Sequence, residues 1–251
     1  MVPKKTITLL HGFGEDHRVF DAQVQALSEK YNVFAPDLPG SGFLSKHQWQ
    51  PGTQSIEWLA HWVNGQLAER QIPSCIMLGH SMGGYITLAF AEKYPDKLSA
   101  FGLVHSTAFE DPEAKKANRL KAIQFMQEKG PHAFLKTAIP GLFGTRFSQH
   151  EPQQVADLVE KAKAFELESL TAYYRAMIAR PDRTAVLKNA TMPVLLVAGA
   201  ADMAAPLPDL LQQAPMPTLC HFHILKHSGH MGMMEEPENL SKILLNFSGS
   251  V

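Results

Sequence analysis

Short apolar runs rich in β-branched residues recur along the chain, each ending in a turn and followed by apolar positions at helical spacing. Residues 6–10 lead into His11-Gly12-Phe13-Gly14, 32–35 into Asp37-Leu38-Pro39-Gly40, and 75–78 into Gly79-His80-Ser81. Residues 101–104, 193–198 and 221–225 complete the series. Runs that are apolar without alternation belong to strands covered on both faces, and strands alternating with helices form parallel sheets. Helices are predicted over 19–30, 55–71, 82–94 and 237–247. The fold class is therefore α/β, with a mostly parallel sheet and helices on both faces.

One segment breaks the rhythm. From 107 to 190 the pattern contains no convincing strand, only helical spacing over 112–129, 131–138, 153–164 and 166–179, with a loop at 139–150 holding Pro140, Gly141 and Gly144. That is far longer than a simple crossover needs. It predicts an inserted helical cap at 107–190, laid over a core made of 1–106 and 191–251.

Composition narrows the function. The 251 residues are 45% hydrophobic and 19% charged, which excludes a disordered chain. A formal net charge of −1 offers no electrostatic footprint for nucleic acid or an anionic membrane. The expected partner is a small molecule, with no nucleic acid and no membrane. Cys75 and Cys220 are too few for a disulfide framework or a zinc cluster, and read as small buried hydrophobes. The first residues show no apolar leader, and no run reaches the roughly 18 apolar residues of a membrane span. A cytoplasmic protein is expected.

The chemistry concentrates after the third run. Gly79-His80-Ser81-Met82-Gly83-Gly84 contains G-x-S-x-G, a nucleophile elbow. Such a serine sits on a strained strand-to-helix turn, where side chains at the flanking glycines would clash. Short motifs arise by chance, so context decides. Here an apolar strand precedes the motif and a helix follows it.

A serine nucleophile needs a base, and the base an orienting acid, in the chain order Ser, Asp or Glu, His. His230, in Ser228-Gly229-His230 after the last run, is positioned to return to the carboxyl edge of the sheet. His221 and His223 share one face of a strand and read as polar residues on an edge; a metal pair is the less favoured alternative. His227 reads as a solvated loop residue, His80 as the variable position of the elbow, and His11 as a flank of the early glycine turn. The acid is Asp202, after the run at 193–198, where catalytic groups gather in open α/β sheets. Asp209 falls in a helix, and Asp37 reads as a turn-former before Pro39-Gly40. An oxyanion hole completes the set, with one N–H from Met82 and one from Phe13, whose flanking glycines allow close approach.

With these residues in place, the chain resembles the α/β-hydrolase superfamily over 6–106 and again from 191 onward. The resemblance rests on the HGFG turn, the DLPGSG loop at 37–42, the GHSMGG elbow, the GAAD loop and SGHMGMMEEP. Within the superfamily it is most similar to small capped enzymes: carboxylesterases acting on carrier-protein methyl esters, enol-lactone hydrolases and C–C bond hydrolases. The resemblance implies Ser81 as nucleophile, Asp202 as acid, His230 as base and Phe13 and Met82 as oxyanion donors, with no cofactor and no metal. Two departures stand out. The superfamily usually has two strands before the HG-bearing one, whereas this sequence starts almost at it, so about six strands are expected with 32–35 at an edge. Ser41 stands where histidine is common.

Hydrolysis of a small ester, thioester or lactone through an acyl-enzyme is the leading expectation. A lyase or C–C hydrolase with the same triad, or a receptor that keeps the triad without turnover, remains compatible with these motifs. Serine at the elbow disfavours dehalogenases and epoxide hydrolases, which by resemblance use aspartate there. In the cap, Phe109, Phe134, Leu135, Phe143, Tyr173 and Met177 offer a pocket lining or a core, and Arg119, Arg146 and Arg175 an anion contact or a solvated face.

Overall fold

The computed structural model describes residues 4–44 and 53–251. The sheet order is β2-β1-β3-β4-β5-β6, and every pairing is parallel. The strands are β1 (Thr6–Leu10), β2 (Asn32–Phe34), β3 (Cys75–His80), β4 (Leu98–Val104), β5 (Val194–Gly199) and β6 (Cys220–Leu225). The six parallel strands and the edge position of β2 match the sequence expectation. The helices are α1 (Asp21–Ser28), α2 (Ile56–Glu69), α3 (Met82–Lys93), α4 (Glu113–Lys129), α5 (Pro131–Ala138), α6 (Thr145–His150), α7 (Pro152–Lys161), α8 (Leu167–Ala179), α9 (Thr184–Lys188), α10 (Leu207–Gln213), α11 (Gly232–Glu235) and α12 (Pro237–Gly249). None among the described residues is long and apolar enough to cross a membrane.

Alternation along the strands explains the layers. Ile76, Leu78, Leu195 and Val197 pack on one face with Leu27 of α1 and Leu240, Leu244 and Phe247 of α12. Cys75, Met77, Val194 and Leu196 pack on the other with Leu59, Val63 and Leu67 of α2 and Ile86 and Phe90 of α3. Successive side chains point to opposite faces, so a strand covered on both sides is apolar along most of its length. Edge strand β6 is mostly half-buried, which accommodates its histidines. His221 meets Phe247 edge-on, with ring centres 5.2 Å apart.

Helices α4 to α9 fill the stretch between β4 and β5. The loop expected at 139–150 is a correction: Pro140–Leu142 forms a 3-10 turn and Thr145–His150 a helix. Pro140, Gly141 and Gly144 interrupt the pattern without preventing helix on either side, because proline is tolerated in a first turn and Gly144 stands at the cap. This insertion shares the core of the sheet layers, with Met126, Leu135 and Phe143 packed in the α1/α12 cluster. Its two stems are tied together. The Arg183 N–H donates to the Ala108 carbonyl at 2.8 Å. Asp111 accepts from Arg180 at 2.9 Å and from Arg119 at 2.6 Å. Burial opposes the charge of Asp111, yet Arg180 and Arg119 hold its carboxyl down to about 2. The Arg180 guanidinium also lies 3.8 Å over the Tyr85 ring of α3, a cation–π contact with the core.

Two glycines give opposite expectations. A Cβ on Gly79 would lie 2.1 Å from the Gly83 carbonyl oxygen, whereas one on Gly65, inside α2, meets nothing within 4 Å. Gly65→Ala should raise stability by about 0.5–1 kcal/mol through lower backbone entropy in the unfolded chain. Gly79→Ala should lower the melting temperature; denaturant unfolding of both variants checks the pair.

Candidate active site

The turn between β3 and α3 carries the site. Ser81 has φ 50° and ψ −114°, a conformation costing on the order of 1–3 kcal/mol for a non-glycine residue. The surroundings hold it there. The Ser81 N–H donates to the Val104 carbonyl at 3.0 Å, and the Ser106 hydroxyl donates to the Ser81 carbonyl at 2.7 Å. Gly83 lets the turn approach β1, since a Cβ there would sit 2.1 Å from the Leu10 carbonyl oxygen. Met82 opens α3, so its N–H belongs to the helix-terminal donors that have no intrahelical carbonyl.

Asp202 lies on the loop after β5 with its carboxylate enclosed by donors. One oxygen accepts from the N–H groups of Ala204 and Ala205 at 2.8 and 2.9 Å. The other meets Nδ1 of His230 at 2.8 Å and Nδ1 of His105 at 3.1 Å. Burial opposes the charged form, but His230 and His105 outweigh it and hold the carboxyl far below its ordinary range. Asp202 is thus ionised and acceptor-only, which makes both imidazoles Nδ1–H donors. The His230 N–H is itself fixed by the Leu142 carbonyl at 2.7 Å, contributed by the insertion.

A second buried pair links the loops. Nδ1 of His80 lies 2.9 Å from Glu15 Oε2, and its Nε2 lies 2.9 Å from the His230 carbonyl oxygen. Both nitrogens face acceptors, so the satisfied state is the doubly protonated ring. Burial works against that charge, but Glu15 and the His230 carbonyl raise His80 above the ordinary histidine value. Glu15, likewise opposed by burial, is lowered by His80 and by the Gly12 N–H, which donates to it at 2.8 Å. The His80–Glu15 pair therefore joins the HGFG turn, the elbow and the His230 loop.

His11 ties in the DLPGSG loop. Its Nε2 accepts from the Leu38 N–H at 3.0 Å, and burial lowers its basicity, in keeping with a neutral ring. Asp37 does more than form a turn: it accepts from the His17 and Phe43 N–H groups and from the His17 ring. Phe13 is half-buried beneath the insertion, stacked on Tyr174 with ring centres 4.2 Å apart, and Phe134 meets Tyr174 edge-on at 5.9 Å.

The folded chain thus brings His230 against Asp202 and ties the His230 loop to the residue preceding Ser81. Asp209 lies in the first turn of α10, and His227 is exposed. Sequence reasoning missed Glu15, His105 and Ser106. The signal for His105-Ser106 was their place directly after the β4 run, at the same sheet edge as the elbow. For Glu15 it was a carboxylate one residue beyond the glycine turn.

The model of the alpha/beta hydrolase family matches residues 9–243. The chain belongs to that family. Among solved structures it is similar to a thermophilic esterase from Thermogutta terrifontis, described with malate bound: TM-score 0.92, 26% identity, 99% of this chain and 90% of that one. Among curated proteins it is 28% identical over 77% of its length to the 1-acylglycerol-3-phosphate O-acyltransferase ABHD5 of Rattus norvegicus, of which it spans only 56%. It is 24% identical to the pimeloyl-[acyl-carrier protein] methyl ester esterase of Aeromonas hydrophila, covering 97% of this chain and 95% of that protein.

The His80–Glu15 pair predicts a pH signature. The depressed Glu15 contributes stability that is present above its unfolded value of about 4.5 and lost as pH falls through the folded one. The raised His80 contributes stability that is full below about 6.5 and lost as pH rises through its folded value. Replacing Glu15 by Gln should therefore lower the melting temperature most between about pH 4.5 and 6.5, and less at higher pH. Melting curves across pH 4–9 check this; a difference independent of pH would contradict the ion pair.

Proposed function

We propose that the protein is a serine hydrolase of small carboxylic esters, thioesters or lactones, working through an acyl-enzyme on Ser81. The observation that carries the reading is the strained Ser81 turn, linked through the adjoining His80 to a His230 whose Nδ1 is held by an ionised, fully hydrogen-bonded Asp202. Ser81 Oγ attacks the acyl carbon while Nε2 of His230 takes the hydroxyl proton. Asp202 keeps that ring in the tautomer whose Nε2 is free to accept, and stabilises the imidazolium that forms. The carbonyl oxygen becomes an oxyanion, accepting from the N–H groups of Met82 and Phe13. The C–O or C–S bond then breaks, and the leaving group receives the proton from His230. Water, deprotonated by the same ring, attacks the acyl-Ser81 ester, releasing the acid and restoring the serine.

The aromatic cover supports a small substrate. Phe13 lies under Tyr174, and a Cβ on Gly14 would lie 3.2 Å from Leu135 of α5. An enclosed site rewards each added methylene by about 0.8 kcal/mol until it is full, and then penalises it by roughly 1–3 kcal/mol. The esterase names among the relatives fit this reading, and an intracellular place for the reaction is part of it.

Turnover of p-nitrophenyl esters from acetate to palmitate tests the proposal. The kcat/KM should rise from acetate, peak at a short or medium chain and collapse at palmitate. Ser81→Ala should lose about 10⁴–10⁶ in kcat and Asp202→Asn about 10⁴. Undiminished turnover in Ser81→Ala would overturn the assignment, and activity still climbing at palmitate would contradict the closed site.

A further inference from the structure

Asp202 serves two histidines, and the proposed reaction uses only one. His105 follows β4, is fully buried, and directs Nδ1 at the same Asp202 oxygen that meets His230. Three features show that the fold is shaped around this ring. The His105 backbone has φ 50°, a left-handed conformation that histidine adopts seldom, held by its N–H donating to the Val197 carbonyl at 2.8 Å. A Cβ on Gly232 would lie 2.2 Å from His105 Nε2, and one on Gly199 3.0 Å from its Cε1, so both positions are clear of side chains where the ring sits. Nε2 is buried with no hydrogen-bond partner.

That last feature fixes the protonation state. An Nε2 proton would be buried without an acceptor, while the Nδ1 proton has Asp202, so the ring is neutral with its single proton on Nδ1. Burial pushes His105 down to about 4, against the pull of Asp202. Across the working range of a hydrolase it remains a fixed neutral donor.

We propose that His105 is a positioning residue of the site: its Nδ1–H, donated to the Asp202 oxygen that faces His230, fixes that carboxylate and takes up part of its charge, so that the deprotonated base persists to lower pH than it would beside an unshared carboxylate. This inference rests on the reading of Ser81, Asp202 and His230 as the catalytic groups. A carboxylate with four donors has less charge left to stabilise an imidazolium than one with three. The other charged groups around His230 are present with or without His105. His80 and its partner Glu15 lie on the elbow side, with the His80 ring 4.9 Å from the His230 ring. Glu235 of α11 accepts from the Met231 N–H at 3.0 Å. A change on removing His105 is therefore read against a constant background.

The test is the rate of fluorophosphonate labelling of Ser81 as a function of pH, which needs no knowledge of the natural substrate. Its acid limb reports protonation of the base. His105→Leu removes the donor. His105→Asn keeps an N–H close to the Nδ1 position, and asparagine tolerates the left-handed backbone. In the leucine variant the acid limb should move up by roughly half to one pH unit, and the plateau rate should fall about ten-fold as Asp202 loosens. The asparagine variant should recover both to within about three-fold of the unmodified protein. Circular dichroism confirms folding, and if the leucine variant does not fold, His105→Gln, whose amide lies where Nε2 was, takes its place.

A folded variant without the donor but with an unmoved limb would overturn the proposal, as would a loss of rate that asparagine does not restore. His230→Ala is the control for the underlying reading. If it labels as fast as the unmodified protein, His230 is not the base and the reading itself fails. If it does not label while His105→Leu behaves like the unmodified protein, only the role of His105 fails.

Discussion

Everything at this site depends on holding one serine in a backbone conformation it would not choose. At φ 50° Ser81 stands at the top of the turn between β3 and α3, with its peptide groups engaged on both sides. The turn can exist only because Gly79, Gly83 and Gly84 leave no Cβ between it, β1 and Ser106. Interior packing holds that serine in place in a direct sense. The β3 core strand and the α3 helix fix the ends of the turn, and their burial offsets its strain.

Around that turn the polar groups form connected pairs rather than isolated contacts. Asp202 gathers the loops after β4 and β5 and the segment bearing His230. Glu15 and His80 gather the early glycine turn, the elbow and the same segment from the other side. Buried charge of this kind is tolerable only when it is paired and hydrogen-bonded, as the Asp202 and Glu15 carboxylates are, and such pairing makes the network rigid. The consequence is preorganisation: the loops cannot shift independently, so a proposed nucleophile, base and oxyanion donors keep one mutual geometry. The insertion joins this network through the Leu142 carbonyl on the His230 N–H and through Tyr174 on Phe13.

Most of the sheet was legible in the sequence because both of its faces are buried. Such strands read as largely apolar runs, and β3 and β5 could hardly be mistaken. The short helices were harder. Thr145–His150 has no fully buried residue and follows a proline and two glycines, so its local pattern resembles a loop. Of the candidate site, Ser81, Asp202 and His230 were proposed from motif and order. His105 and Glu15 were not, because what defines them is distance across the fold: His105 meets a carboxylate 97 positions later, and Glu15 an imidazole 65 positions away. Nothing local marks a histidine after a strand as the partner of a remote aspartate.

In the proposed mechanism Ser81 carries the acyl group during turnover. The most direct measurement is to quench the enzyme in acid during its first turnovers of a short-chain p-nitrophenyl ester and map the adduct by peptide mass spectrometry. An acyl mass is expected on the peptide containing Ser81, confined to that residue and absent from Ser81→Ala. Turnover that proceeds with the acyl group on another side chain, or with Ser81 replaced, would contradict it.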